Sequence, residues 1–270
     1  MFILACVAGV LGLRLAHSFV AAWIPVSGRE AAFVTVMAGG LLIGHAWTFH
    51  LVDPRGWRFV GMGRSASRAG SLAGAAALGA AAIAVPAAAL LALGWLRITP
   101  AEAGSSLGAA LAAVAVLAPA AFWEELFVRG YAFAVLRERW GALPAIVVTS
   151  QVFGLMHLLN AEASIGAVLV VCLAGVFLGL VRHVTGSLYA AWAAHLAWNL
   201  VLVTLLHATV SGISMAAPDY RTVDAGPDWA TGGAWGPEGG VFAVAGLAAA
   251  SWYLYSRATS RRADTGPNDE

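Results

Sequence analysis

Eight stretches apolar enough to cross a bilayer follow one another along this chain, and that succession constrains its fold more than any other feature. A spanning helix needs about 20 mostly apolar residues. The chain offers Met1–Ile24, Ala31–Val52, Ser71–Leu96, Ser106–Leu136, Leu143–Leu159, Ser164–Val181, Leu188–Leu206 and Gly239–Ser256. Arg14 and His17 interrupt the first of these, so seven spans is the alternative count. Only 11% of the 270 residues are charged. A soluble domain carries about 25%, so this chain cannot assemble a water-facing surface. The expected fold is therefore all-α: a polytopic integral membrane protein of about eight transmembrane helices with an intramembrane polar site.

Charge placement supplies an orientation. Loops following the second, fourth and sixth apolar stretches, together with the tail, hold Arg55, Arg58, Arg64, Arg68, Arg137, Arg139, Arg182, Arg257, Arg261 and Arg262. The alternate loops hold only Arg29, Arg97 and Arg221. Because basic loops stay on the cytoplasmic side, both termini are expected in the cytoplasm and the chain in a cell inner membrane. Arg14 follows the first apolar stretch instead of preceding it, the reverse of a cleavable signal peptide, so that stretch is expected to be retained. All fifteen basic residues are arginine, which with abundant alanine and glycine hints at a GC-rich bacterial genome. A net charge of +1 gives no reason to expect a nucleic-acid partner. Cys6 and Cys172 lie far apart in apolar runs and read as small hydrophobes.

The connecting segments carry further signals. Asp53–Arg68 is basic, contains Trp57 and Phe59, and reads as an interfacial segment on the cytoplasmic face. The long outward loop, His207–Glu238, is rich in Gly, Pro and Asp; its stretch Thr231–Glu238 forms turns and should pack over helix ends. Gly175 and Gly179 make a small-residue face for close helix contact.

Against this apolar background three polar clusters need a reason. They are Glu124, Glu125 and Arg129 in the fourth stretch, Phe153 and His157 in the fifth, and His195 and Asn199 in the seventh. A single charge in the bilayer costs roughly 2.5–3.5 kcal/mol on insertion scales. Counting ~1.5 Å per residue puts Glu124 at ~20 Å from the helix end near Arg137, His157 at ~22 Å from Gly141, and His195 and Asn199 at ~13 and ~19 Å from Gly186. All three clusters are thus expected near one level in the membrane. Glu125 and Arg129 share a helix face and can pair, whereas Glu124 is turned about 100° away. Pro119 should kink its helix and open a pocket beside the carboxylates. Phe153, one turn before His157, can wall its imidazole.

Each cluster also has a structural reading: a buried ion pair, a hydrogen-bonded histidine, an asparagine joining two helices. Their joint occurrence favours a hydrolytic site. His17, His45, His50, His183 and His207 lack such company and are read as structural, and so, by preference, is Gln151.

Glu124-Glu125-x-x-x-Arg129, Phe153-x-x-x-His157 and His195-x-x-x-Asn199 resemble, in this order, the motifs of the CPBP family, the CAAX proteases and bacteriocin-processing proteins, which includes the Ras-converting CAAX endopeptidase. Arg129-Gly130-Tyr131 and Thr185-Gly186-Ser187 are also similar to that family. The resemblance divides the chain into N-terminal helices over residues 1–105 (about three), a catalytic core over 106–206, and an outer loop, last helix and tail over 207–270. It implies an intramembrane glutamic-type endopeptidase. Glu124 and His157 would activate water, His195 and Asn199 would stabilise the oxyanion, and Glu125, Arg129 and Phe153 would support them.

No cofactor is expected on that reading. The alternative is a zinc metalloendopeptidase with Glu124, His157 and His195 as ligands, since two histidines and a glutamate suit zinc with an open water position. The chain has no His-Glu-x-x-His to demand it. Substrates implied are membrane-anchored or lipid-bearing peptides or proteins met in the lipid bilayer, C-terminal sorting-signal removal being one version. The competing class is a non-proteolytic membrane protein: a bacteriocin immunity factor, a scaffold or a transporter. A transporter would more often show repeats and broken helices in matching halves, and no repeat is evident here.

Overall fold

The computed structural model describes Leu11, residues 28–101 and residues 105–264. Apart from Leu11, the first expected span, Met1–Ile24, lies outside the described residues, as does Cys6. The described residues are 77% helical. Its main helices are α1 (Arg29–Leu51), α2 (Ala69–Ala92), α3 (Ser106–Arg129), α4 (Tyr131–Trp140), α5 (Ala142–Met156), α6 (Ile165–Thr185), α7 (Leu188–Leu200) and α8 (Val241–Asp264). Among the described residues six helical units are long and apolar enough to cross a membrane, α3 and α4 counting as one. The expected last span is a helix, α8, but not one of these six, because its second half turns aromatic and polar from Ser251 onward. Large apolar side chains such as Val85, Leu107, Leu143 and Ile165 point outward. That is the surface a lipid-solvated protein needs.

Among the described spans, expected boundaries hold within a few residues except in the last, where α8 runs on to Asp264, eight residues beyond Ser256, and in the fourth, where one helix over Ser106–Leu136 is interrupted. Gly130 takes φ −78° and ψ −120° and ends α3. A Cβ there would stand 2.1 Å from Leu126 O and 2.7 Å from His45 Nε2. Only glycine fits, and the depth count running straight from Arg137 to Glu124 does not apply across this break. His45, buried in α1, bridges it. Its Nδ1 donates to Leu41 O at 2.8 Å, leaving Nε2 to accept the Tyr131 N–H at the start of α4 (3.4 Å).

Small residues let the helices approach closely. A Cβ on Gly79 of α2 would meet Ala194 O of α7 at 2.2 Å, and one on Gly246 of α8 would meet Ala82 O of α2 at 2.0 Å. Gly175 and Gly179 of α6 lie against Ser150 and Ile146 of α5, as the small-residue face implied. The α6–α7 corner is set by Gly186, left-handed at φ 67°, and by Ser187, whose Oγ accepts the Ala190 N–H at 3.1 Å.

One small sheet enters this helical frame. Leu96–Pro100 (β1) pairs antiparallel with Tyr220–Asp224 (β2), Ile98 opposite Thr222. Leu96, expected at the end of a helix, belongs to this strand because Gly94 turns the chain at φ 71°. The pairing anchors the long loop. At the other end of the bundle Asp53, Arg55 and Tyr131 tie the segment after α1 to α4. Arg55 donates to Asp53 Oδ1 (2.8 Å) and Oδ2 (2.5 Å), Tyr131 Oη donates to Oδ2 (2.9 Å), and Arg55 reaches Glu138 at 2.6 Å.

Candidate active site

The polar centre is assembled from α3, α5, α6 and α7. On α3, Glu125 and Arg129 are four residues apart, and Arg129 Nη1 donates to Glu125 Oε1 at 3.0 Å. Both side chains are 0% exposed. A buried guanidinium needs further partners, and Arg129 Nη2 donates to Gly175 O at 3.0 Å while Cζ lies 4.3 Å from the Phe153 ring centre. Gly175 is required here: its Cβ would stand 3.2 Å from Nη2 and 2.9 Å from Ser150 Cα.

Glu125 Oε1 has a second contact. His195, on α7 and 70 residues away, places Nδ1 at 3.1 Å from it. A carboxylate that already accepts from Arg129 makes His195 the donor. The opposite ring nitrogen, Nε2, lies 3.9 Å from Glu124 Oε2. Glu124 keeps 18% of its side chain exposed, so the two adjacent carboxylates differ: Glu125 is locked in the protein, and Glu124 is partly open at the surface.

His157 closes the cluster from the end of α5, where the helix passes into a 3-10 turn. Its Nδ1 lies 2.8 Å from Phe153 O. A carbonyl only accepts, so Nδ1 carries the hydrogen and the neutral ring presents Nε2 as an acceptor. Phe153 does wall the imidazole, its ring centre 4.8 Å from that of His157 and 5.7 Å from that of His195. Asn199 comes from the last turn of α7, just before a π-helical segment, Val201–Leu205.

His157, His195 and Asn199 line one cavity of about 40 Å³. A water needs roughly 10–15 Å³ by this measure, so the cavity takes a water-sized polar group. Glu124 is not part of its wall and meets the cluster at His195. Among the other lining residues, three with polar groups were not singled out by sequence reasoning: Trp198, Ser211 and Glu238. The Thr231–Glu238 stretch does pack over the helices. It buries Trp235 beside His157, ring centres 6.5 Å apart, and brings in the Glu238 carboxylate. The available signal was a carboxylate in a glycine-flanked turn just before the last apolar stretch. Gln151 faces away from the cluster, beside Cys172 Sγ at 3.7 Å. Among the described residues no three His, Cys, Asp or Glu side chains are gathered as a metal-ligand set.

These features define a multi-pass helical membrane protein with a buried polar centre of two histidines, an asparagine and a glutamate pair. Residues 106–201 match the family described as type II CAAX prenyl endopeptidase Rce1-like, a segment that contains all three motifs. This part of the chain is similar to that family, in agreement with the CAAX-protease resemblance of its motifs. No curated protein and no solved structure matches the chain.

Proposed function

We propose that this protein is an intramembrane glutamic-type endopeptidase that hydrolyses a peptide bond in a membrane-anchored or lipid-bearing substrate. The observation that carries the reading is the His157 ring, whose Nδ1–H is held by Phe153 O, leaving Nε2 as the acceptor of a ring that lines one cavity with His195 and Asn199. Glu124 is the general base. Its 3.9 Å separation from His195 is too long for a hydrogen bond and leaves the carboxylate free to take a proton from water. The water oxygen, held by a hydrogen bond to His157 Nε2, then attacks the scissile carbonyl, and the proton taken up by Glu124 passes to the departing nitrogen as the C–N bond breaks. His195 and Asn199 donate to the oxyanion. With Nδ1–H committed to Glu125, His195 can donate from Nε2 only when the ring carries both hydrogens. The proposed chemistry uses a carboxylate, two imidazoles and a carboxamide, with no resident metal.

The arginine distribution supports an orientation with both termini in the cytoplasm of a cell with an inner membrane. Residues 106–206 then form the catalytic core. Glu124→Gln tests the mechanism, because it keeps size and hydrogen bonding but removes the base. Purified Glu124→Gln and His157→Ala proteins should leave a membrane substrate uncleaved while unfolding at the wild-type temperature. The substrate itself is sought by comparing membrane proteomes with and without the gene. Full activity in Glu124→Gln would sink the mechanism.

A further inference from the structure

We infer that Glu238 is a substrate-contacting carboxylate of this site, the acceptor for the nitrogen of the scissile bond; the inference rests on the endopeptidase reading above. Glu238 is buried in a short turn before α8 and lines the same cavity as His157, His195 and Asn199. Its oxygens are largely committed. Oε1 accepts the Ser211 N–H at 2.6 Å and the Ser211 hydroxyl at 2.8 Å, and Oε2 accepts the Trp198 Nε1–H at 2.6 Å. Two donors fill Oε1, and one donor leaves Oε2 a single lone pair for the cavity. Three donors to one carboxylate also hold it rigidly.

The chemistry says what that lone pair can take. In hydrolysis the water oxygen bonds to the carbonyl carbon, the C–N bond breaks, and the nitrogen leaves as an amine after gaining a proton from the base. An oxyanion would be repelled by a carboxylate, whereas an amide N–H and the amine that replaces it are donors. Glu238 therefore suits the nitrogen side of the bond and His195 with Asn199 the oxygen side. This fixes which side of the scissile bond is turned toward Glu238.

Trileucine and N-acetyl-trileucine, which differ at the amino group, serve as probes of the detergent-solubilised protein by calorimetry and as inhibitors of cleavage. Wild type should prefer the free amine by about tenfold or more, the effect of one charge-assisted hydrogen bond. Glu238→Gln should lose that preference. Ser211→Ala loosens the loop but keeps the carboxylate, so it should retain it; a purely structural latch would make the two variants alike. Equal affinity of wild type for the two probes overturns the inference even if Glu238→Gln does not fold. Glu124-dependent cleavage without the preference overturns the role of Glu238 alone. A preference in a protein that cleaves nothing overturns the endopeptidase reading and leaves the amine site standing.

Discussion

His195 and Glu125 meet at 3.1 Å through Nδ1 and Oε1, the same oxygen that Arg129 holds at 3.0 Å. One buried carboxylate oxygen thus fixes the rotation of α7 against α3 and orients an imidazole whose other nitrogen faces Glu124. The pair joins the architecture of the bundle to its chemistry, because neither helix can turn without losing the contact.

The ion pair beneath that contact should be costly to break by halves. Glu125→Leu leaves Arg129 charged and buried, and Arg129→Met leaves Glu125 so; each should cost about 3–5 kcal/mol. The double variant removes both charges and should be less destabilised than either single one. Thermal unfolding in detergent of the four proteins checks this, and additive losses would contradict it.

Asn199 is expected to contribute one hydrogen bond to the oxyanion, so Asn199→Ala should retain cleavage reduced by ~10²–10³. Chelator treatment should leave wild-type activity unchanged. One zinc per chain by elemental analysis, lost in both His157→Ala and His195→Ala, would instead recast Glu124, His157 and His195 as metal ligands.

Asp53 lies outside the spans, and the Arg55 guanidinium beside it holds its carboxyl well below the ordinary value of 3.8. A depressed carboxyl stabilises the fold above its unfolded value and loses that contribution as pH falls toward its folded value. Asp53→Asn should therefore unfold at a lower temperature than wild type at pH 7. The gap should stay constant down to about pH 5 and narrow below about pH 4. The effect should be modest, since Arg55 is 39% exposed and its charge is screened.

Two glycines on one helix give a packing test. Gly79→Ala places a Cβ 2.2 Å from Ala194 O, on the helix that carries His195, and should cost about 1–3 kcal/mol with a loss of activity. Gly74→Ala meets nothing within 4 Å and should be neutral or slightly stabilising. Unfolding temperatures and cleavage rates of the two variants give the comparison.

What the sequence by itself determined is local. Span length and apolarity placed the helices, because a bilayer admits few other backbones. The four-residue spacings of Glu125 with Arg129 and of Phe153 with His157 announced their contacts, because helical geometry alone brings such residues together. The tertiary structure decided which way each polar face turns. That Glu125 takes His195 while Glu124 stays open follows from how α3 and α7 are each turned, α7 by Ala194 against Gly79 of α2 and α3 by Arg129 on Gly175 of α6. The break at Gly130 needs His45 from another helix, and β1 finds β2 across more than 100 residues. Glu238 reaches the cavity only because its loop folds back over α6 and α7. Loop closure and helix rotation are governed by contacts between distant residues, which no spacing along the chain records.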